Sequence, residues 1–106
     1  MSEYFDSHCH LTAAAFSGDL EETLLRAQEN GVTRWVTIAS NLEDAQEALA
    51  LVKDQPGAWS TAGVHPHEVG GAPEDVIERI RKLASTQEKI VAIGETGLDF
   101  YYDNAP

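Results

Sequence analysis

The chain is 106 residues long, one domain at most and near the low end of domain size. Its hydrophobic content of 42% is ordinary for a globular protein, no apolar stretch approaches transmembrane length, and the Met1-Ser2-Glu3 start lacks a signal peptide's basic and apolar segments. Eighteen acidic residues against seven basic give a formal charge of −11, which argues against a protein that holds nucleic acid on a basic face.

A single cysteine, Cys9, excludes an internal disulfide and points to a reducing, cytoplasmic compartment. The densest basic patch, Arg79-Arg81-Lys82, is interleaved with apolar residues. A polyanionic substrate would need bound cations to supply most of the attraction.

In chain order, Tyr4 to Ser7 reads as a strand that runs into His8 and His10. Asp19 to Asn30 reads as a helix with Leu20, Leu24 and Ala27 on one face. Asp19 and Glu22 have the spacing of a capping box, and Asn30-Gly31 gives the stop. Arg34 to Ala39 is a β-rich run with little alternation, the pattern of a strand buried on both faces.

Ser40 or Asn41 can cap a second helix, to about Lys53, that turns Ala45, Ala48, Leu49 and Val52 inward. Gln55-Pro56-Gly57 turns the chain into a third strand from Trp59 to Val64, ahead of His65 and His67. Gly70-Gly71-Ala72 is a loop, and Pro73 suits the first turn of a third helix with Val76, Ile77, Ile80 and Leu83 inward. Ile90 to Gly94 is the fourth strand, followed by Glu95 and Asp99. Tyr101 to Pro106 reads as a loop and cap leading towards a fourth helix, so the chain is expected to be part of something longer.

Strands alternating with helices imply an α/β fold with a parallel sheet and right-handed crossovers. All strand C-termini then share one edge, and loops at that edge carry active sites in barrels and open α/β sheets alike. His8/His10, Ser40-Asn41, His65/His67 and Glu95/Asp99 all fall there. Side chains two apart on a strand project to one side, so the imidazoles of His8 and His10 can reach one metal ion. The same alternation turns Cys9 to the opposite face, in a small apolar role, and puts Asp6 on the histidines' side. Trp35 and Trp59 read as packing residues; Tyr101 and Tyr102 lie where they could stack on a base or pack against further chain.

The runs Phe5-Asp6-Ser7-His8-Cys9-His10-Leu11, Gly63-Val64-His65-Pro66-His67 and Gly94-Glu95-Thr96-Gly97-Leu98-Asp99-Phe100-Tyr101-Tyr102 together resemble the TatD family of metal-dependent deoxyribonucleases, in the family's order and spacing. The family usually has an apolar residue where this chain has Thr96. The resemblance implies a TIM-type (β/α)₈ barrel, of which residues 1–106 would be a single partial domain. That domain is the N-terminal half, with four strands and three helices, ending before helix 4.

The resemblance also implies hydrolysis of phosphodiester bonds in DNA, with two divalent ions per complete site. It makes His8, His10 and Glu95 metal ligands, with Glu95 bridging the ions. His65 and His67 read as pocket-lining residues and not principal ligands, and His65, its loop fixed by Pro66, is the candidate to assist catalysis at the substrate phosphate. Imidazole and carboxylate ligands suit Zn, Mn, Co or Mg without choosing among them. Asp99 would orient a ligand or cap the next element. Further ligands would come from later strands, so the chain alone is expected to be inactive. No membrane partner is expected; DNA is, together with the C-terminal half of the barrel or self-association through open sheet edges. Two other readings are a different amidohydrolase-like or histidinol-phosphatase-like barrel, and a non-catalytic fragment or binding module.

Overall fold

Four short β-rich runs and three amphipathic helical runs set the architecture of the computed structural model, which describes residues 2–13, 16–98 and 100. Strand β1 (Tyr4–Cys9) leads to helix α1 (Leu20–Glu29), then β2 (Val32–Thr37), α2 (Leu42–Val52), β3 (Ala58–Ala62), α3 (Val76–Thr86) and β4 (Ile90–Ile93). The strands form one sheet in the order β1-β2-β3-β4, and every neighbouring pair is parallel. The α/β reading and the alternation of elements hold.

Local chemistry explains most element ends. Asn41 opens α2, its Oδ1 accepting from the Asp44 amide at 2.8 Å. Asp19 opens α1 but makes no side-chain cap hydrogen bond, so the expected box with Glu22 does not form. Past α1, Gly31 has φ +91°, and a Cβ there would lie 2.6 Å from the Ser2 carbonyl oxygen. Between β3 and α3 the chain makes a 3-10 helix, Pro66–Gly71, where the glycines suggested only a loop. Pro73 stands ahead of α3 instead of inside its first turn, its carbonyl accepting from the Val76 amide at 3.1 Å.

Packing is concentrated where the helices meet the middle of the sheet. One cluster joins Leu11, Trp35, Val52 and Ala58, with Leu20 and Leu24 of α1 against it. A second joins Ala39, Ala45, Ala62 and Ile90, with Ile80 and Leu83 of α3 against it. Ile77, expected inward, is 63% exposed: Ile80, Leu83 and Ala84 set the packed face of α3, and Ile77 falls off it. Two-faced burial of the run Arg34 to Ala39 is realised towards its end, where Thr37, Ile38 and Ala39 are all buried, and fails at its start, where Arg34 is exposed. Phe5, half exposed, instead stacks on Trp59 with centroids 5.7 Å apart, and the Arg34 guanidinium lies over its ring. Among the described residues no helix is long and apolar enough to cross a membrane.

Candidate metal centre

The candidate ligands start far apart. His8 and His10 belong to β1 and its exit, Glu95 to the exit of β4, and in a flat sheet those strands would stand roughly 14 Å apart, three steps of about 4.8 Å. The backbone beyond β4 closes much of that distance. Gly94 N donates to Ala62 O at 3.0 Å and Glu95 N donates to Ala39 O at 3.2 Å, so the chain crosses the end of β3 to reach the exit of β2. Gly63 makes the crossing possible: a Cβ on it would lie 2.6 Å from Glu95 O and 2.7 Å from the Gly94 carbonyl carbon.

His8, His10 and Glu95 thereby come together, each offering a ligand atom within 4.8 Å of the others. The two Nε2 atoms are 3.2 Å apart, and His8 Nε2 lies 3.3 Å from Glu95 Oε1. Two donors on a tetrahedral ion with bonds of about 2.0–2.1 Å stand roughly 3.3 Å apart, so both distances from His8 match edges of a coordination shell. Neutral imidazole and carboxylate are the donor types that borderline and hard divalent cations take. The residues present fit such an ion.

His65 reaches the same carboxylate from the other side, its Nε2 lying 3.6 Å from Glu95 Oε2. The His67 amide donates to His65 Nδ1 at 3.1 Å. An accepting Nδ1 in a neutral ring leaves the proton on Nε2, so His65 presents an N–H towards Glu95. The His65 amide is itself anchored on Ser40 O at 2.7 Å. His67 packs edge-on against His65, with centroids 4.7 Å apart, and is more exposed.

The alternation on β1 needs one correction. The register shifts between Asp6, opposite Trp35, and Cys9, opposite Thr37, so three residues of β1 span two of β2. Asp6 therefore does not share the histidines' side by simple alternation; its Oδ1 accepts from the His8 amide at 3.1 Å and steadies the backbone instead. Cys9 packs against the Leu11–Trp35 cluster and donates Sγ–H to Val36 O at 3.3 Å. Burial, and then the nearby Asp6 charge, push its thiol up to about 12. It is a packing residue, as expected. Asp99, Tyr101 and Tyr102 lie outside the described residues.

Two features at this rim escaped the sequence reading. Asp44 ties neighbouring loops together, accepting from Thr12 Oγ1 and, at 2.8 Å, from the Ser40 amide. It lines the open cleft that also holds His10, His65 and Glu95. The three-residue spacing from Asn41 to Asp44 at a helix head was its signal. The second is Thr61, 2% exposed, which links β2 to β4; nothing local in the sequence marks it.

An imidazole–carboxylate cluster at the C-terminal rim of a parallel β/α sheet is the arrangement of metallohydrolases built on β/α barrels. The chain belongs to the TatD related DNase family, whose model matches residues 5–106. It is 38% identical over 96 residues to the 3'-5' ssDNA/RNA exonuclease TatD of Cronobacter sakazakii, covering 91% of this chain and 36% of that protein. The protein of the same name from Pantoea ananatis is 42% identical over 97 residues, covering 91% of this chain and 37% of its own length. A crystal structure of YJJV, a TatD homologue from Escherichia coli K12, superposes with a TM-score of 0.84 at 32% identity, covering 95% of this chain and 39% of that one. The four strands match the N-terminal part of that barrel. The chain spans little more than a third of the length of the curated relatives it matches.

Proposed function

We propose that this chain carries the first part of a divalent-metal-dependent nuclease site, in which His8, His10 and Glu95 hold metal and His65 meets the substrate phosphate. The observation that carries the reading is the convergence of two imidazole nitrogens and one carboxylate oxygen, from the two edge strands, within 4.8 Å of one another, with His8 3.2 Å from His10 and 3.3 Å from Glu95. The relatives named as ssDNA/RNA exonucleases support phosphodiester hydrolysis in nucleic acid, and DNA is the substrate of this reading. A bound divalent ion would supply Lewis-acid polarisation and a water of lowered pKa.

The chain's own residues do the positioning. His8 and His10 direct Nε2 to one point, and Glu95 turns Oε1 to the same point and Oε2 towards His65. The Nε2–H of His65 is a donor for a phosphate oxygen, and the His67 amide holds that tautomer. At a formal charge of −11 the surface repels a polyanion, which gives bound cations a second task, attraction. Residues 1–106 act here as one partial domain of a barrel and in the cytoplasm. Three ligands and an unclosed sheet give weak metal binding and little or no turnover by the chain alone.

Calorimetric titration with Mn²⁺ or Zn²⁺, alongside hydrolysis of single-stranded DNA by the purified chain, tests this. Wild type should bind metal, and Glu95→Ala should lose about 100-fold in affinity with its unfolding midpoint nearly unchanged. Hydrolysis by the chain alone should be poor or undetectable, and any that is seen should be sensitive to chelator and absent in Glu95→Ala. Wild-type hydrolysis by Glu95→Ala in excess metal would sink the assignment. Fast turnover by the chain alone would show instead that these residues already make a complete site.

A further inference from the structure

Glu95 sits on a loop, and a ligand on a loop needs something rigid to hold it. The hydroxyl of Thr61 is placed to do so. Thr61 is 2% exposed at the end of β3, in the middle of the sheet. Its Oγ1 accepts from the Ala39 amide at 3.0 Å and donates to the Gly94 carbonyl at 2.8 Å. Ala39 in turn accepts from the Glu95 amide through its own carbonyl, at 3.2 Å.

The peptide carrying Glu95 is thus held at both ends. Its carbonyl end rests on the Thr61 hydroxyl and its amide end on Ala39 O, while Thr61 also fixes Ala39. Gly63 sets how closely this peptide approaches β3. No water or surface side chain is needed to close the triangle, because the hydroxyl gives and takes one hydrogen bond each.

We infer that Thr61 is a positioning residue for the metal centre: its buried hydroxyl locks the Gly94–Glu95 peptide to the exit of β2 and so aims the Glu95 carboxylate at His8 and His10. The inference rests on the reading of those three residues as metal ligands. Thr61 touches neither metal nor substrate, and acts through the backbone. Valine at this position has nearly the same shape and offers no hydroxyl; serine keeps the hydroxyl and drops a methyl. The two changes separate positioning from packing.

The test titrates the chain with Co²⁺, reading visible absorption and heat, for wild type, Thr61→Val, Thr61→Ser and His10→Ala, with a thermal melt of each metal-free protein. Thr61→Val should weaken metal binding about ten- to a hundred-fold, the usual consequence of losing a group that orients a ligand, while Thr61→Ser stays within about threefold of wild type. A Thr61→Val protein that melts earlier but binds Co²⁺ as wild type does would make Thr61 a packing residue and overturn the inference. If Thr61→Val does not fold, Thr61→Cys, of similar size with a weaker donor, takes its place with the same expected weakening. Wild type failing to bind, or His10→Ala binding equally well, would remove the metal-centre reading and this inference with it; binding in wild type with loss in His10→Ala leaves the result at Thr61 to decide the inference alone.

Discussion

The two central strands and the two edge strands of this sheet are different kinds of surface. Along β3 every residue except the half-buried Trp59 is buried, and β2 buries Trp35 and Thr37. Along β1 every residue from Tyr4 to His8 is exposed, and along β4 only Ile90 is buried. Yet His8, His10 and Glu95 come from the edges and their exits. Packing is concentrated in the middle of the sheet and the candidate metal ligands stand at its margins, the two meeting at the strand ends. Substitutions of packed side chains in the centre should therefore change folding and those at the margins should change ligand binding, with Thr61 the exception because its hydroxyl reaches the Gly94 carbonyl at the exit of β4.

The largest effect should come from Trp35→Ala on β2, which removes an indole from the Leu11–Val52–Ala58 cluster. It should lower unfolding free energy by about 3–5 kcal/mol in urea denaturation. A loss below about 1 kcal/mol would break the contrast, because the centre would then be no more consequential than the margins.

Cys9 sharpens the contrast, being an edge-strand residue turned towards the centre. Its thiol is raised from 9.0 to about 12 when folded, so unfolding frees a group that ionises near 9.0. The folded state's advantage is therefore whole below about pH 9 and is lost as the pH climbs towards 12. Allowing for partial exposure, the decline should be about 1 kcal/mol. Urea midpoints against pH for wild type and Cys9→Ala check this, since tyrosines and lysines contribute equally to both. Parallel curves would mean that the thiol does not feel the core.

The smallest effect should be at Ile93 of β4, 53% exposed. Ile93→Ser should alter stability by no more than about 0.5 kcal/mol, the range of ordinary surface changes. A larger loss in urea denaturation would show that something covers this edge in solution.

The sequence carried the strand-end rim because period-two spacing and β/α alternation are local patterns. His8, His10 and Glu95 could be named from them, with the family resemblance supplying the role of Glu95. The bulge that re-aims Asp6 was not legible, because it depends on the register against Trp35 and Thr37 in another strand. Thr61 was hidden for a similar reason: its meaning lies in Ala39 and Gly94, neither of them near it in the chain. Ile77 misled because four apolar residues on α3 fit more than one inward face, and the sheet chose among them.

The crossing of Glu95 over Gly63 also bears on the order of events during folding. His8 lies near the start of the described chain and Glu95 near its end, so their meeting closes a long loop, slow to form and dependent on β4 having docked beside β3. A cation held by both would bind the finished sheet and not its precursors, acting as a latch on the last step of assembly. At a hundred times its dissociation constant such an ion adds about 2.7 kcal/mol to the folded state. The margin of the sheet, which contributes least to stability by packing, would then lend stability through its ligand.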